Sequence, residues 1–112
     1  MSIIAQQNDA LVLTLEHRYF GQSLPYPDLK TEHLIYLTVE EELEDLASFV
    51  NWYQKQINTK YGKSTRNKLL VVGGSYAGMI SSNMRLTHPE IVDVSWSSSG
   101  VVDAVYNFSG DS

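Results

Sequence analysis

The sequence predicts an α/β fold: parallel strands with crossover helices, in the order strand, helix, strand, helix, strand. Three observations carry this. Short, almost wholly apolar runs alternate with longer stretches of helical periodicity. A glycine-rich Gly73-Gly74-Ser75-Tyr76-Ala77-Gly78 segment stands between one such run and one such helix. The 112 residues, 43% hydrophobic and 19% charged, are apolar enough to offset their ordering entropy and read as one domain over residues 1–112.

Leu11 to Leu15 (L-V-L-T-L) suits a first strand buried on both faces. A polar stretch from Glu16 to Leu37 follows, punctuated by Gly21, Pro25 and Pro27. Thr38-Val39-Glu40-Glu41 reads as a capping box, in which the Thr38 hydroxyl accepts from the Glu41 N–H and the Glu41 carboxylate reaches back. Behind it, Leu43, Leu46, Ala47, Val50 and Ile57 recur on one helical face. The acids Glu40, Glu41, Glu42, Glu44 and Asp45 fill the first two turns, where the helix dipole favours them, and are expected to be solvated. Gly62 follows this helix. A second apolar run, Leu69 to Val72, leads into the glycine-rich segment and a helix to about His88, stopped by Pro89. The third strand is expected over Ile91 to Trp96, followed by Ser97-Ser98-Ser99-Gly100. Such alternation implies parallel strands with right-handed crossovers. Sites in such sheets lie at the carboxyl ends of the strands, where His17, Ser75 and Ser97 are expected to emerge.

Composition removes several functions. Lys and Arg total 8 against 13 Asp and Glu, a formal charge of −5, so phosphate neutralisation lacks surplus cations and nucleic acid is not an expected partner. No apolar run approaches the ~20 residues that span a bilayer, so no membrane partner is expected. The three histidines lack i, i+4 spacing and cysteine is absent, so no metal or other cofactor is expected. His33 reads as a surface residue of the polar loop. Tyr19, Phe20, Trp52, Tyr53 and Trp96 read as core or cap-facing packing.

The segment around Ser75 sits where a nucleophile elbow belongs. There the nucleophile occupies a tight turn, and its neighbours two residues away must be small so that helix and strand can approach. Gly73 and Ala77 fill those places, with Gly74 before the serine and Gly78 keeping the next position small. The turn would lift the Ser75 hydroxyl above the sheet. It would also aim the Tyr76 N–H, at a helix start, where charge develops on a tetrahedral intermediate. The same residues also suit a glycine-rich turn that binds an anion or merely packs. A phosphate-binding loop fits poorly because no Gly-Lys-Ser/Thr follows, and a dinucleotide fingerprint lacks its third glycine.

Glu16-His17-Arg18-Tyr19-Phe20-Gly21-Gln22-Ser23-Leu24-Pro25 resembles the E-H-R-Y-[YF]-G-x-S-x-P signature of the S28 serine peptidases, and Gly73 to Gly78 resembles that family's G-G-S-Y-[GA]-G. This is the group of lysosomal Pro-X carboxypeptidase, dipeptidyl peptidase II and thymus-specific serine protease. Leu37-Thr38 with its acidic helix, Arg85-x-x-x-Pro89 and Ser97-Ser98-Ser99 are similar too, in order and spacing, from about Ala10 to Val102. The resemblance implies a partial α/β-hydrolase fold. It implies an exopeptidase, either carboxypeptidase or dipeptidyl peptidase, that cleaves proline-containing peptides by Ser-His-Asp acyl transfer. Glu16, His17, Arg18 and Tyr19 would then form the loop beside the site, with Glu16 and Arg18 in a buried charge network.

Ser75 needs a base within about 2.6–3.2 Å and an acid to orient it. His88, the one histidine after Ser75, lies at the far end of the following helix; Asp93 starts the third strand, at the wrong sheet edge; Asp103 has no histidine to orient. His17 is the alternative base, but its motif suits loop support better. The triad Asp and His, the second oxyanion donor and the cap over the proline pocket are therefore expected outside these residues, making the chain a central fragment. The start of the chain shows no signal peptide. The sequon Asn107-Phe108-Ser109 agrees with the lysosomal or secreted setting that the resemblance implies. The competing reading is a non-catalytic α/β binding or interaction module.

Overall fold

The computed structural model describes residues 2–103 and 105. In chain order the elements are α1 (Ser2–Gln7), a 3₁₀ turn (Thr31–His33), α2 (Val39–Tyr61), β1 (Leu70–Gly74), α3 (Tyr76–Thr87) and β2 (Val94–Ser98). They fall into two compact units, Met1–Thr38 and Val39–Ser112.

The second unit is α/β. β1 and β2 lie side by side in parallel, with Leu70 opposite Val94, Val72 opposite Trp96 and Gly74 opposite Ser98, and α3 connects them. α2 starts directly after Thr38, with Glu40, Glu41 and Glu42 in its first turn. It ends at Gly62, whose φ of 62° is open to glycine at no steric cost. The Lys63 N–H then turns back to the Asn58 carbonyl at 3.0 Å, the Schellman closure that satisfies an orphan helix carbonyl. α3 stops at Thr87 because the residue before Pro89 is pushed out of the helical region, and His88 takes φ −126°, ψ 54°.

The core joins Leu43 and Ala47 of α2, Ile80 and Met84 of α3, and Ile91 and Val92. Val39, Leu46, Leu69, Val71 and Met79 pack around it. Val50 and Ile57, expected on the same stripe, are only half-buried, so α2 makes its core contact through its first half. Trp52 is exposed rather than core and lies against Phe49 and Tyr53 on the helix surface, with ring centroids 6.1–6.2 Å apart. Phe20 and Trp96 are exposed as well, whereas Tyr19 is buried.

Two strand expectations need correction. Residues 11–15 form no strand among the described residues. A strand needs a neighbour to take its backbone N–H and C=O groups. The two described strands pair with each other, and Leu11, Val12 and Leu13 stay 62%, 47% and 44% exposed. The last strand begins at Val94 rather than Ile91. Ile91 and Val92 instead sit in a tight turn, both N–H groups donating to the His88 carbonyl at 3.1 Å, and plug the core from there.

The amino-terminal edge of the sheet is tied by one carboxylate. Asp93 accepts from Arg66 Nη1 at 2.6 Å and Nη2 at 3.1 Å, from Lys68 Nζ at 2.9 Å and from the Leu69 N–H at 2.9 Å. Its own N–H and that of Val94 donate to the Leu69 carbonyl at 3.0 and 3.1 Å. Hydrogen bonds from the Arg66 guanidinium first, then Lys68 and the Leu69 amide, hold this carboxyl well below the usual carboxylate range. A depressed folded value means stability that is present above the unfolded value of 3.8 and is lost as pH falls through the folded one. Asp93→Asn is therefore expected to lower Tm at pH 7 by several degrees, with the gap to wild type narrowing as pH falls below about 4. Thermal unfolding followed by circular dichroism between pH 7 and 2 measures both; a gap independent of pH contradicts the assignment.

Candidate active site

Ser75 stands between β1 and α3 with φ 56° and ψ −120°, a backbone region that costs a non-glycine residue about 1–3 kcal/mol. The surroundings hold it there. The Ser75 N–H donates to the Ser98 carbonyl at 2.9 Å, and the Ser75 carbonyl accepts from the N–H groups of Gly78 at 3.0 Å and Met79 at 3.2 Å. Both backbone polar groups of the turn are thereby satisfied while the residue itself stays exposed.

The close approach that this turn demands can be read atom by atom. A Cβ at Gly73 would stand 1.9 Å from the Ala77 carbonyl oxygen and 2.8 Å from the Gly78 nitrogen. At Gly78 it would meet Gly100 Cα at 2.9 Å, and Ser97 Oγ and the Ser98 carbonyl at 3.1 Å. Gly74 is looser, with its nearest atom, the Ser98 carbonyl oxygen, at 3.9 Å. β1 and α3 meet where Gly73 faces the Ala77 backbone, and Gly78 in addition lets α3 approach the end of β2.

Beneath the turn, Ser81 is fully buried. Its hydroxyl donates to the Val71 carbonyl at 2.9 Å and shares a 2.8 Å hydrogen bond with Ser95 Oγ, tying α3 to both strands. Nothing in the sequence marks it, since a serine in mid-helix reads as a surface residue. α3 starts at Tyr76, so the Tyr76 N–H lies in the first turn, at the positive end of the helix dipole. Its phenol is pushed above its ordinary value by partial burial first and by the Glu42 charge second. Glu42 departs from expectation: it is 5% exposed, because its position on α2 faces inward beside Leu43.

In the unit that carries Ser75, the described histidine is His88, at the opposite end of α3. The helix has 12 residues, or about 18 Å along its axis. His88 Nε2 lies 3.3 Å from Glu44, and Nδ1 shares a hydrogen bond with Thr87 Oγ1. Asp93 is engaged at the far sheet edge, and Asp103 is exposed. Among the described residues of this unit, no histidine stands beside Ser75. Ser97 ends up close to the turn, as its contact with Gly78 requires.

The first unit holds the second motif. Glu16 Oε2 accepts from the Gln22 and Ser23 N–H groups at 3.1 Å and from Ser23 Oγ at 2.7 Å. Hydrogen bonds from the Ser23 hydroxyl first and then the Gln22 amide favour the ionised form and hold its pKa below the ordinary value. The carboxylate is exposed and organises a turn, rather than lying in a buried charge network. Gly21, at φ 54°, packs directly on it. Tyr19 is buried at φ 69°, donating its hydroxyl to the His33 carbonyl at 2.8 Å and accepting from the Tyr36 N–H at 3.2 Å. His17 Nδ1 lies 2.7 Å from the Arg18 carbonyl, and Arg18 reaches the Tyr36 carbonyl at 3.4 Å. His33 is not a plain surface residue. Its ring is half-buried, hydrogen-bonded to Asp28 and stacked on Tyr26 with centroids 4.5 Å apart.

No group of three metal-ligating side chains occurs among the described residues, and no described helix is long and apolar enough to cross a membrane. The sequon at Asn107 lies outside the described residues.

A profile of the family described as serine carboxypeptidase S28 matches residues 1–111. The chain is 41% identical over 112 residues to a probable serine protease EDA2 of Arabidopsis thaliana, covering 97% of this chain and 23% of that protein. It is 36% identical over 106 residues to a probable extracellular serine carboxypeptidase of Arthroderma benhamiae, covering 94% of this chain and 15% of the relative. It is 34% identical over 92 residues to lysosomal Pro-X carboxypeptidase of Mus musculus, covering 80% and 18%. The chain spans less than a quarter of the length of each of these relatives.

The two neighbouring glycines before Ser75 are expected to respond differently to one added methyl group. Gly73→Ala should cost more than 2 kcal/mol, on the order of other overpacked backbone contacts, whereas Gly74→Ala should stay within about 1 kcal/mol. Urea unfolding of both variants measures this, and equal losses contradict the packing described.

Proposed function

The chain belongs to the serine carboxypeptidase S28 family, and from that premise we propose that it carries the nucleophile of a serine exopeptidase acting next to proline. Ser75 is the nucleophile. The observation that carries this reading is the exposed serine at φ 56°, seated between the end of a parallel strand and the start of a helix. Its Oγ attacks the substrate carbonyl, forming the acyl bond as the scissile C–N bond breaks and the leaving amine takes a proton. The Tyr76 N–H faces the developing oxyanion, where a preorganised donor acts most strongly. A Ser hydroxyl is almost fully protonated at neutral pH, so a histidine must take its proton. We assign that histidine, the Asp that orients it and the cap over the proline pocket to sequence outside these 112 residues. The relatives' greater length supports this assignment. Glu16, His17, Arg18 and Tyr19 belong to the loop that the first family motif marks, and Asn107 carries a glycan. The names of the Mus musculus and Arthroderma benhamiae relatives support a lysosomal or extracellular setting and favour the carboxypeptidase arm over the dipeptidyl peptidase arm.

The protein expressed from its complete gene is expected to hydrolyse chromogenic peptides containing proline. Ser75→Ala should lower kcat/KM by about 10³-fold or more. The 112 residues expressed alone should be inactive. An N-blocked peptide with a free carboxylate, set against one with a free amine and a blocked carboxylate, separates the two exopeptidase arms. Full activity in Ser75→Ala would exclude Ser75 as the nucleophile.

A further inference from the structure

β1 and β2 end level with each other, Gly74 opposite Ser98, and the next residue on each strand turns into the left-handed region: Ser75 at φ 56° and Ser99 at φ 50°. The first turn is the one described above. The second has no glycine at the strained position, and Ser99 is exposed, so core packing does not explain why it is held there. What it accomplishes is visible on either side of it. On one side, the Ser98 carbonyl is aimed at the Ser75 N–H, at 2.9 Å. On the other, Gly100 folds back onto the first turn of α3. A Cβ on Gly100 would meet Ser97 Oγ at 2.4 Å, the Gly78 carbonyl carbon at 3.0 Å and the Met79 nitrogen at 3.1 Å. Gly78 and Met79 are the residues whose N–H groups hold the Ser75 carbonyl.

We propose that the Ser99–Gly100 turn is a positioning device for Ser75, bracing the backbone of the elbow from both sides. This rests on the reading of Ser75 as the nucleophile. The Ser98 carbonyl fixes the amide of residue 75 directly, and Gly100 fixes its carbonyl through Gly78 and Met79. The turn touches no reacting atom. It sets the direction in which the Ser75 side chain leaves the sheet. The role belongs to the backbone conformation at position 99, not to the serine hydroxyl, and it requires a residue at 100 with no side chain.

The test compares variants at the exposed position 99 in the protein expressed from its complete gene. Asn tolerates a positive φ, whereas a β-branched residue there is a strong outlier. Ser99→Val is expected to lower kcat on the proline-containing chromogenic peptide by about tenfold or more, as small misplacements of reacting groups do, with KM unchanged. Its Tm should fall only by the backbone strain of one residue, since no core contact is lost. Ser99→Asn should restore wild-type kcat, and Gly100→Ala should behave like Ser99→Val. Wild-type kcat in Ser99→Val, or equal losses in the Val and Asn variants, would overturn the proposal. Hydrogen exchange of the residue 75 amide provides an arm that does not depend on catalysis or on the Val variant folding. This amide should be protected in wild type, in Ser75→Ala and in Ser99→Asn, and should exchange faster in Gly100→Ala. An amide exchanging like an exposed one in wild type overturns the bracing, whereas undiminished turnover in Ser75→Ala overturns the nucleophile reading alone.

Discussion

One added carbon at Gly73 would stand 1.9 Å from the Ala77 carbonyl oxygen, and one at Gly100 would stand 3.0 Å from the Gly78 carbonyl carbon. The second unit is organised around this approach of α3 to the ends of two parallel strands. Only bare backbone fits there, and only a sharp reversal at Ser75 can lead the chain from β1 into a helix so close to it. The reversal is unfavourable in itself. It persists because three backbone hydrogen bonds, to Ser98, Gly78 and Met79, satisfy it from outside. An exposed side chain on a backbone so firmly specified is what covalent chemistry requires of a nucleophile, since orientation cannot then be lost to loop motion.

The remainder of the unit divides the sheet by polarity along its strands. At the amino-terminal edge, Asp93 gathers Arg66, Lys68 and the Leu69 amide, which sets where both strands begin. Midway, the buried Ser81 hydroxyl links α3 to β1 and β2, at the cost of a polar group inside that is tolerated because it is hydrogen-bonded. At the carboxyl edge stand Ser75, Ser97, Ser98 and Ser99. Charge therefore fixes the structure at one end, while the other presents small hydroxyl residues, of which Ser75 and Ser99 stand at positive φ. In the first unit, Glu16 performs the same service for its own loop, gathering the amides of Gln22 and Ser23.

Features whose cause is local were legible in the sequence. α2 announces itself by its acidic first turn and ends at a glycine with positive φ; α3 begins after Ser75 and stops before Pro89. The turn at Ser75 follows from glycines flanking a serine between a strand and a helix. Features whose cause lies in a distant partner were not legible. Residues 11–15 have the composition of a buried strand, but composition cannot supply the neighbour that a ladder needs. Glu42 reads as solvated until the inward face of α2 is known, and His33 reads as exposed until Tyr26 and Asp28 close on it. Gly78 reads as one small residue among several, and only the backbone path of Gly100 shows why it must be small. Ser99 belongs to a stretch that resembles the family, but its positive φ carries no sequence signal, since serine has no marked preference for that region.

The claim at the centre of this account is that the strained serine between β1 and α3 is the reacting group. Treating the protein expressed from its complete gene with a fluorophosphonate, then mapping the adduct by tandem mass spectrometry of its peptides, tests this directly. A single adduct on Ser75, absent after thermal unfolding, is the predicted result. An adduct on Ser97, Ser98 or Ser99 in place of Ser75, or no adduct on the folded protein, would contradict it.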